Sequence, residues 1–119
     1  MSASRVQPSA WEKRLEVIDH EPAFWFLLGD GHRLFLDVNC SHSVVAYDFL
    51  MELDESERAL QRSQGHAYVS QLAETIRTSA PGVRDSASRY EPRNIASDYR
   101  TQVLEAIKTW RAQQDEQTE

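Results

Sequence analysis

The chain has little with which to lock or anchor itself. One cysteine, Cys40, among 119 residues cannot close an internal disulfide, so the fold does not depend on an oxidising compartment. Long hydrophobic runs are missing, and those present are far too short to span a bilayer. The opening MSASRVQPSAWEKR lacks the apolar core of a secretory signal. The cytoplasm is therefore the expected location, and no membrane partner is expected.

Positive charge is also scarce. Nineteen Asp and Glu against thirteen Lys and Arg give a net charge of −6, a field that repels nucleic acid and attracts a basic protein. Aromatics interleaved with basic residues, the pattern of a single-strand binder, are missing from the apolar stretches. There is no glycine-rich phosphate loop, dinucleotide fingerprint, serine nucleophile elbow or internal repeat. No cofactor is expected.

What the chain does have is concentrated between Ala23 and Leu53, AFWFLLGDGHRLFLDVNCSHSVVAYDFLMEL. Gly29-Asp30-Gly31 separates two apolar runs, and Asp-Gly is a strong hairpin signal because glycine accepts the positive φ of a tight turn. Strands are predicted at 23–29 and 32–38. Phe24, Phe26 and Leu28 alternate with Trp25 and Leu27, and Leu34, Leu36 and Val38 with Phe35, so this hairpin is apolar on both faces and must be covered on both. From Val44 to Leu53 the chain alternates again, with Val45, Tyr47, Phe49, Met51 and Leu53 on one face. A strand is predicted at 44–53, with Asn39 to Ser43 as the turn before it. Upstream, Trp11 to Asp19 fits a helical or a strand face. Its short length and the Glu21-Pro22 stop favour a strand at 14–19, preceded by a helical turn around Trp11.

Helices follow. Asp54 and Glu57 have capping-box spacing, and Val69, Leu72, Ala73 and Ile76 form a buried stripe. A helix is predicted over 55–79, bent near Gly65 or divided there, and ending before Pro81-Gly82. Tyr99, Val103, Ala106, Ile107 and Trp110 predict a second over 95–112, with Asn94 or Ser97 as cap. Residues 1–9 and 113–119 read as disordered tails, and 79–94 as a long loop. The order, four strands and then helices, is an α+β single domain with a four-stranded antiparallel meander. Two helices suffice for one face of such a sheet. The other face calls for the Trp11 segment or a second chain, and the expectation is a homodimer through the aromatic hairpin.

The chemistry-bearing residues form three groups. Asp37, Cys40 and His42 lie close in sequence, and a thiol beside an imidazole oriented by a carboxylate is the logic of a Cys-His nucleophile. No oxyanion hole accompanies them, so a packed cysteine beside a turn histidine is the preferred reading. The same residues with His66 do not match a metal-site spacing, and no metal is expected. Asp48 and Glu52, with Asp54, Glu55 and Glu57, make an acidic strip suited to a basic protein partner. As a glycosidase pair, Asp48 and Glu52 stand about 13 Å apart along one strand, which is too far. Arg84, Arg89 and Arg93 offer an anion site in the long loop. The function expected from this pattern is a small acidic protein-binding module, of the kind that inhibits or gives immunity to a basic enzyme. The alternative is a small enzyme or anionic-ligand-binding domain that uses the Asp37–His42 turn and the Arg84–Arg93 loop.

Overall fold

A computed structural model describes residues 14–42, 45–79, 81 and 88–117, with backbone alone at 41–42, 45–46 and 116–117. The tail at 1–9, the turn around Trp11, the Arg84 position and the His42 side chain lie outside the described residues. Among the described residues four strands, β1 (Glu16–Glu21), β2 (Trp25–Gly29), β3 (Leu34–His42) and β4 (Val45–Glu52), precede the helices α1 (Glu55–Gln64), α2 (His66–Ser79) and α3 (Ala96–Gln117), with a 3₁₀ turn at Glu91–Arg93. The sheet is an antiparallel meander in the order β1-β2-β3-β4, as the sequence predicts. No helix among the described residues is long and apolar enough to cross a membrane.

Local chemistry sets the turns. Asp30 accepts the backbone N–H groups of His32 at 2.9 Å and Arg33 at 2.7 Å, while Gly31 takes a positive φ of 95°. Desolvation opposes the charge on Asp30. The Arg33 and His32 N–H groups and the Arg33 guanidinium overcome it and hold the carboxyl at about 2. At the other end of β2, Glu21 accepts the Phe24 N–H at 3.0 Å, and Ala23 sits at φ 61°. That turn delays β2 to Trp25, two residues later than the period-two pattern suggests.

Other boundaries also differ or resolve. The Asn39–Ser43 turn expected from its small polar residues is mostly strand: β3 runs to His42 and pairs residue for residue with β4 from Val45. Cross-strand bonding overrides the local turn preference, as tertiary context does. Gly65, at φ 67°, closes α1 through its N–H to the Gln61 carbonyl, and its own carbonyl accepts from Tyr68 and Val69 at the start of α2. Of the two forms expected over 55–79, bent or divided at Gly65, the divided one forms. At the chain's end α3 continues through Gln117, five residues beyond the predicted stop at 112.

The sheet buries both faces. Trp25, Leu27, Leu36, Val38, Cys40, Phe49 and Met51 pack against Val69, Leu72, Ala73 and Ile76 of α2, with Tyr90 from the long connection. On the opposite face Leu28, Phe35 and Leu50 meet Val103 and Ala106 of α3, with Leu15 ahead of β1. Against the expectation that two helices cover one face only, α3 lies on this face and covers part of it; the Trp11 segment lies outside the described residues. The helices divide between the two faces, so each has cover from the same chain.

Candidate functional site

The start of α3 is tied to β4 at one residue. The Ile95 N–H donates to the Leu50 carbonyl at 2.8 Å, and Asn94 Oδ1 accepts from the Leu50 N–H at 3.3 Å and the Ala96 N–H at 3.0 Å. From there the helix crosses towards β1, where the Trp110 ring meets His20 edge-on at 4.5 Å and Phe26 at 5.5 Å. One flank of α3 packs on Leu15, Leu28 and Phe35. The other leaves part of the sheet open, and a groove of about 810 Å³ lies there. Phe26, Asp37, Asn39, Asp48 and Leu50 line its sheet side, and α3 contributes Arg100, Leu104, Ile107, Trp110 and Arg111. That volume lies within the range of small-molecule pockets. A second depression of about 760 Å³ on the far flank of α3 borders Arg14, where the described chain begins.

Strand pairing explains why the floor is polar. Phe26, Asp37 and Leu50 form one cross-strand row and Asn39 pairs with Asp48 in the next alternate row, so the period of two brings Asp37, Asn39 and Asp48 to one face. Asp37 and Asp48 are diagonal neighbours, about 7 Å apart at the backbone. Burial first, and then the charge of Asp48, push the Asp37 carboxyl up to about 7. No hydrogen bond from a described residue opposes that rise.

The same period separates Asp37 from Cys40. The thiol is fully buried on the α2 side, among Trp25, Val38 and Phe49. Burial pushes it above its ordinary pKa, against a bond from Tyr47. A buried, protonated thiol facing away from the groove is not an activated nucleophile. The metal set is not assembled either. Asp37 and Cys40 lie on opposite faces, and His66 is held elsewhere by Asp19 and Glu21 at 2.9–3.1 Å.

The acidic strip is divided as well. Asp54 caps α1 by accepting the Glu57 N–H at 2.8 Å, and Glu57 Oε1 accepts the Asp54 N–H at 2.8 Å, which completes the capping box. Glu57 is buried and also receives both ends of the Arg93 guanidinium, at 2.7 and 2.9 Å. Arg93 further donates to the Glu52 carbonyl at 2.8 Å. One proposed anion ligand thus neutralises one proposed partner contact. Arg89 is exposed, with its guanidinium 5.2 Å from the Tyr90 ring. Glu55 and Asp48 are exposed and Glu52 half-buried, but Asp48 alone of the strip lines the groove.

Sequence reasoning missed that His20, Phe26, Arg100, Trp110 and Arg111 line the same groove as Asp37. One signal was available: an aspartate inside the apolar run Leu34–Val38, at the parity of Phe35. No family model, curated protein or solved structure matches the chain. The functional reading therefore rests on this geometry.

Proposed function

We propose that the chain is a cytoplasmic protein-binding module, of the inhibitor or immunity class, that receives a basic segment of a partner protein in the groove between α3 and the sheet. The observation that carries the reading is the open groove, whose floor holds two carboxyl groups and whose α3 wall exposes Leu104 at 59%. An apolar wall beside polar groups is what a peptide segment needs: the wall gives contact area and the carboxyls give register and charge preference. The net charge of −6 favours a basic partner over long range. The binding unit in this reading is the single chain.

A small enzyme is the second reading, and Asp37 is the observation in its favour. A carboxyl at about 7 in a groove is suited to general acid-base work. Among the described residues of its other expected parts, Cys40 is sealed in the core and Arg93 is paired with Glu57.

Capture from a lysate of the source organism, at low and moderate salt, tests the binding reading. The expected result is one basic protein retained by the native chain, released by salt, and lost with Leu104→Glu and with Asp48→Asn. Equal retention by Leu104→Glu would remove the groove from the interaction.

A further inference from the structure

We propose that His66 is a proton-operated latch. With both ring nitrogens protonated it fastens the end of β1 to the start of α2, and the loss of one proton frees the β1–β2 turn at the rim of the groove.

The first ground is the count of donors and acceptors. His66 Nε2 lies 2.9 Å from Glu21 Oε1, and Nδ1 lies 3.1 and 3.0 Å from the two carboxyl oxygens of Asp19. A carboxylate only accepts, and a neutral imidazole has a single N–H to give. Both bonds therefore coexist only on the imidazolium, whereas a neutral ring turns a lone pair towards one of the two carboxylates. The His20 N–H aims the Asp19 carboxylate, donating to it at 2.8 Å. The imidazole itself rests on the Trp25 ring, with 4.9 Å between centroids. Trp25 is buried, and its indole N–H donates to Ser70 Oγ at 3.2 Å. One half of the latch is thus mounted on the core.

The second ground is how little else joins the two elements. Among the described residues, the hydrogen bonds between β1 and α2 are those of His66. The first turn of α2 has no acidic residue, so the charges that face the ring are Asp19 and Glu21 of β1. Arg62, in the last turn of α1, forms no ion pair with either of them among the described residues. His20 packs on Phe26 and Trp110, on the face of the sheet that also holds Asp37 and Asp48. Glu21 first and Asp19 second hold the ring's pKa above its ordinary value, against desolvation.

The third ground is what the latch holds. Glu21 leads into the turn in which Ala23 takes a φ of 61°, a strained conformation for a residue with a side chain. The Phe24 N–H closes that turn on the Glu21 carbonyl at 3.0 Å. Beyond the turn the chain is fixed, because the Phe24 carbonyl accepts the Asn39 N–H at 2.8 Å and the Phe24 ring lies 4.4 Å from the Arg77 guanidinium. Before the turn, His66 is what ties Asp19 and Glu21 to α2. Pro22, Ala23 and Phe24 border the groove. The latch therefore sets the firmness of the rim: closed in weak acid, and opened as pH rises through the folded value of the ring.

Amide hydrogen exchange of the full chain between pH 6 and pH 9, read by NMR and corrected for the intrinsic rate, tests this at the Phe24 N–H. Expected is a protection that falls about threefold as the His66 ring loses its proton, the size of change a half-exposed ion pair gives. Exchange at Phe24 should be indifferent to low urea, the mark of local opening. His66→Phe keeps a ring on Trp25 and removes both donors, and should show the low protection at every pH. His66→Arg, charged throughout and with donors for both carboxylates, should show the high protection at every pH. A step that survives in His66→Phe would belong to Asp37 or His20 and would overturn the proposal. Protection that does not change with pH in the native chain, or exchange of Phe24 only through global unfolding, would overturn it as well. None of these outcomes depends on what the groove binds.

Discussion

Arg93 and Glu57, thirty-six positions apart, meet in a two-pronged ion pair, with Nη1 on Oε2 at 2.9 Å and Nη2 on Oε1 at 2.7 Å. The pair joins the 3₁₀ turn before α3 to the first turn of α1, and the second donor of Arg93 Nη2 reaches the end of β4 at the Glu52 carbonyl. Removing the guanidinium leaves Glu57 buried with one capping bond and no counter-ion. Loss of one partner of a fully buried pair costs more than loss at the surface, and Arg93 is partly exposed. Arg93→Ala should therefore lower unfolding stability by about 2 kcal/mol. Urea denaturation at pH 7 measures this, and a change below about 0.5 kcal/mol would show the pair to be a bystander.

Asp37 makes the fold more stable in weak acid than in weak base. Its folded-state value of about 7 lies above that of an unfolded aspartate, so the native chain holds the proton through a window in which the unfolded chain has released it. Stability then falls as pH rises from about 4 to about 7 and levels off above that. Asp37→Asn should remove this slope and stabilise the protein at pH 8 by about 2 kcal/mol. Urea midpoints at pH 5 and pH 8 decide it, and a variant less stable than the native chain at pH 8 would count against the account.

His66 acts over a higher window. Its ring bonds to Glu21 through Nε2 and to Asp19 through Nδ1, and those two carboxylates hold its pKa above the ordinary value. The raised value means that the protonated ring stabilises the fold fully below about 6.5, and that this contribution is lost as pH rises through the folded value. The ring is half exposed, so the effect is screened and falls further with salt. His66→Gln should abolish the part of the pH dependence that salt weakens while leaving the Asp37 slope. A ring pKa measured by NMR at or below 6.5 would refute it.

Cys40 should behave as a core atom. Native protein should react with a thiol reagent far more slowly than denatured protein, because burial both blocks access and keeps the thiol protonated. Cys40→Ala should cost about 1 kcal/mol of packing and leave partner binding unchanged. Rapid labelling of the folded chain would reopen the catalytic reading.

Much of the architecture was legible because it is locally encoded. Gly29-Asp30-Gly31 marks its hairpin by backbone tolerance, and Asp54 and Glu57 mark a helix start by reciprocal bonds three residues apart. Tyr99, Val103, Ala106, Ile107 and Trp110 mark the packed face of α3 by their spacing alone. The misread stretch, expected as a turn over Asn39 to Ser43, has turn-forming side chains whose preference was overridden from Asn39 to His42 by pairing with β4. That extension of the strand assigns Asp37 and Cys40 to opposite faces and dissolves the nucleophile their proximity in sequence suggested.

The amino-acid sequence by itself determined the meander, the helix caps and the apolar stripes, since periodicity and capping act over a few residues. Tertiary structure alone decided that α2 and α3 take opposite faces of the sheet, that Arg93 is spent on Glu57, and that Asp37, Asp48 and Trp110 share a groove. Those outcomes depend on the path α3 takes from its anchor at Leu50 to its contact with His20. That path is set by long-range packing between segments far apart in the chain, which no local pattern encodes.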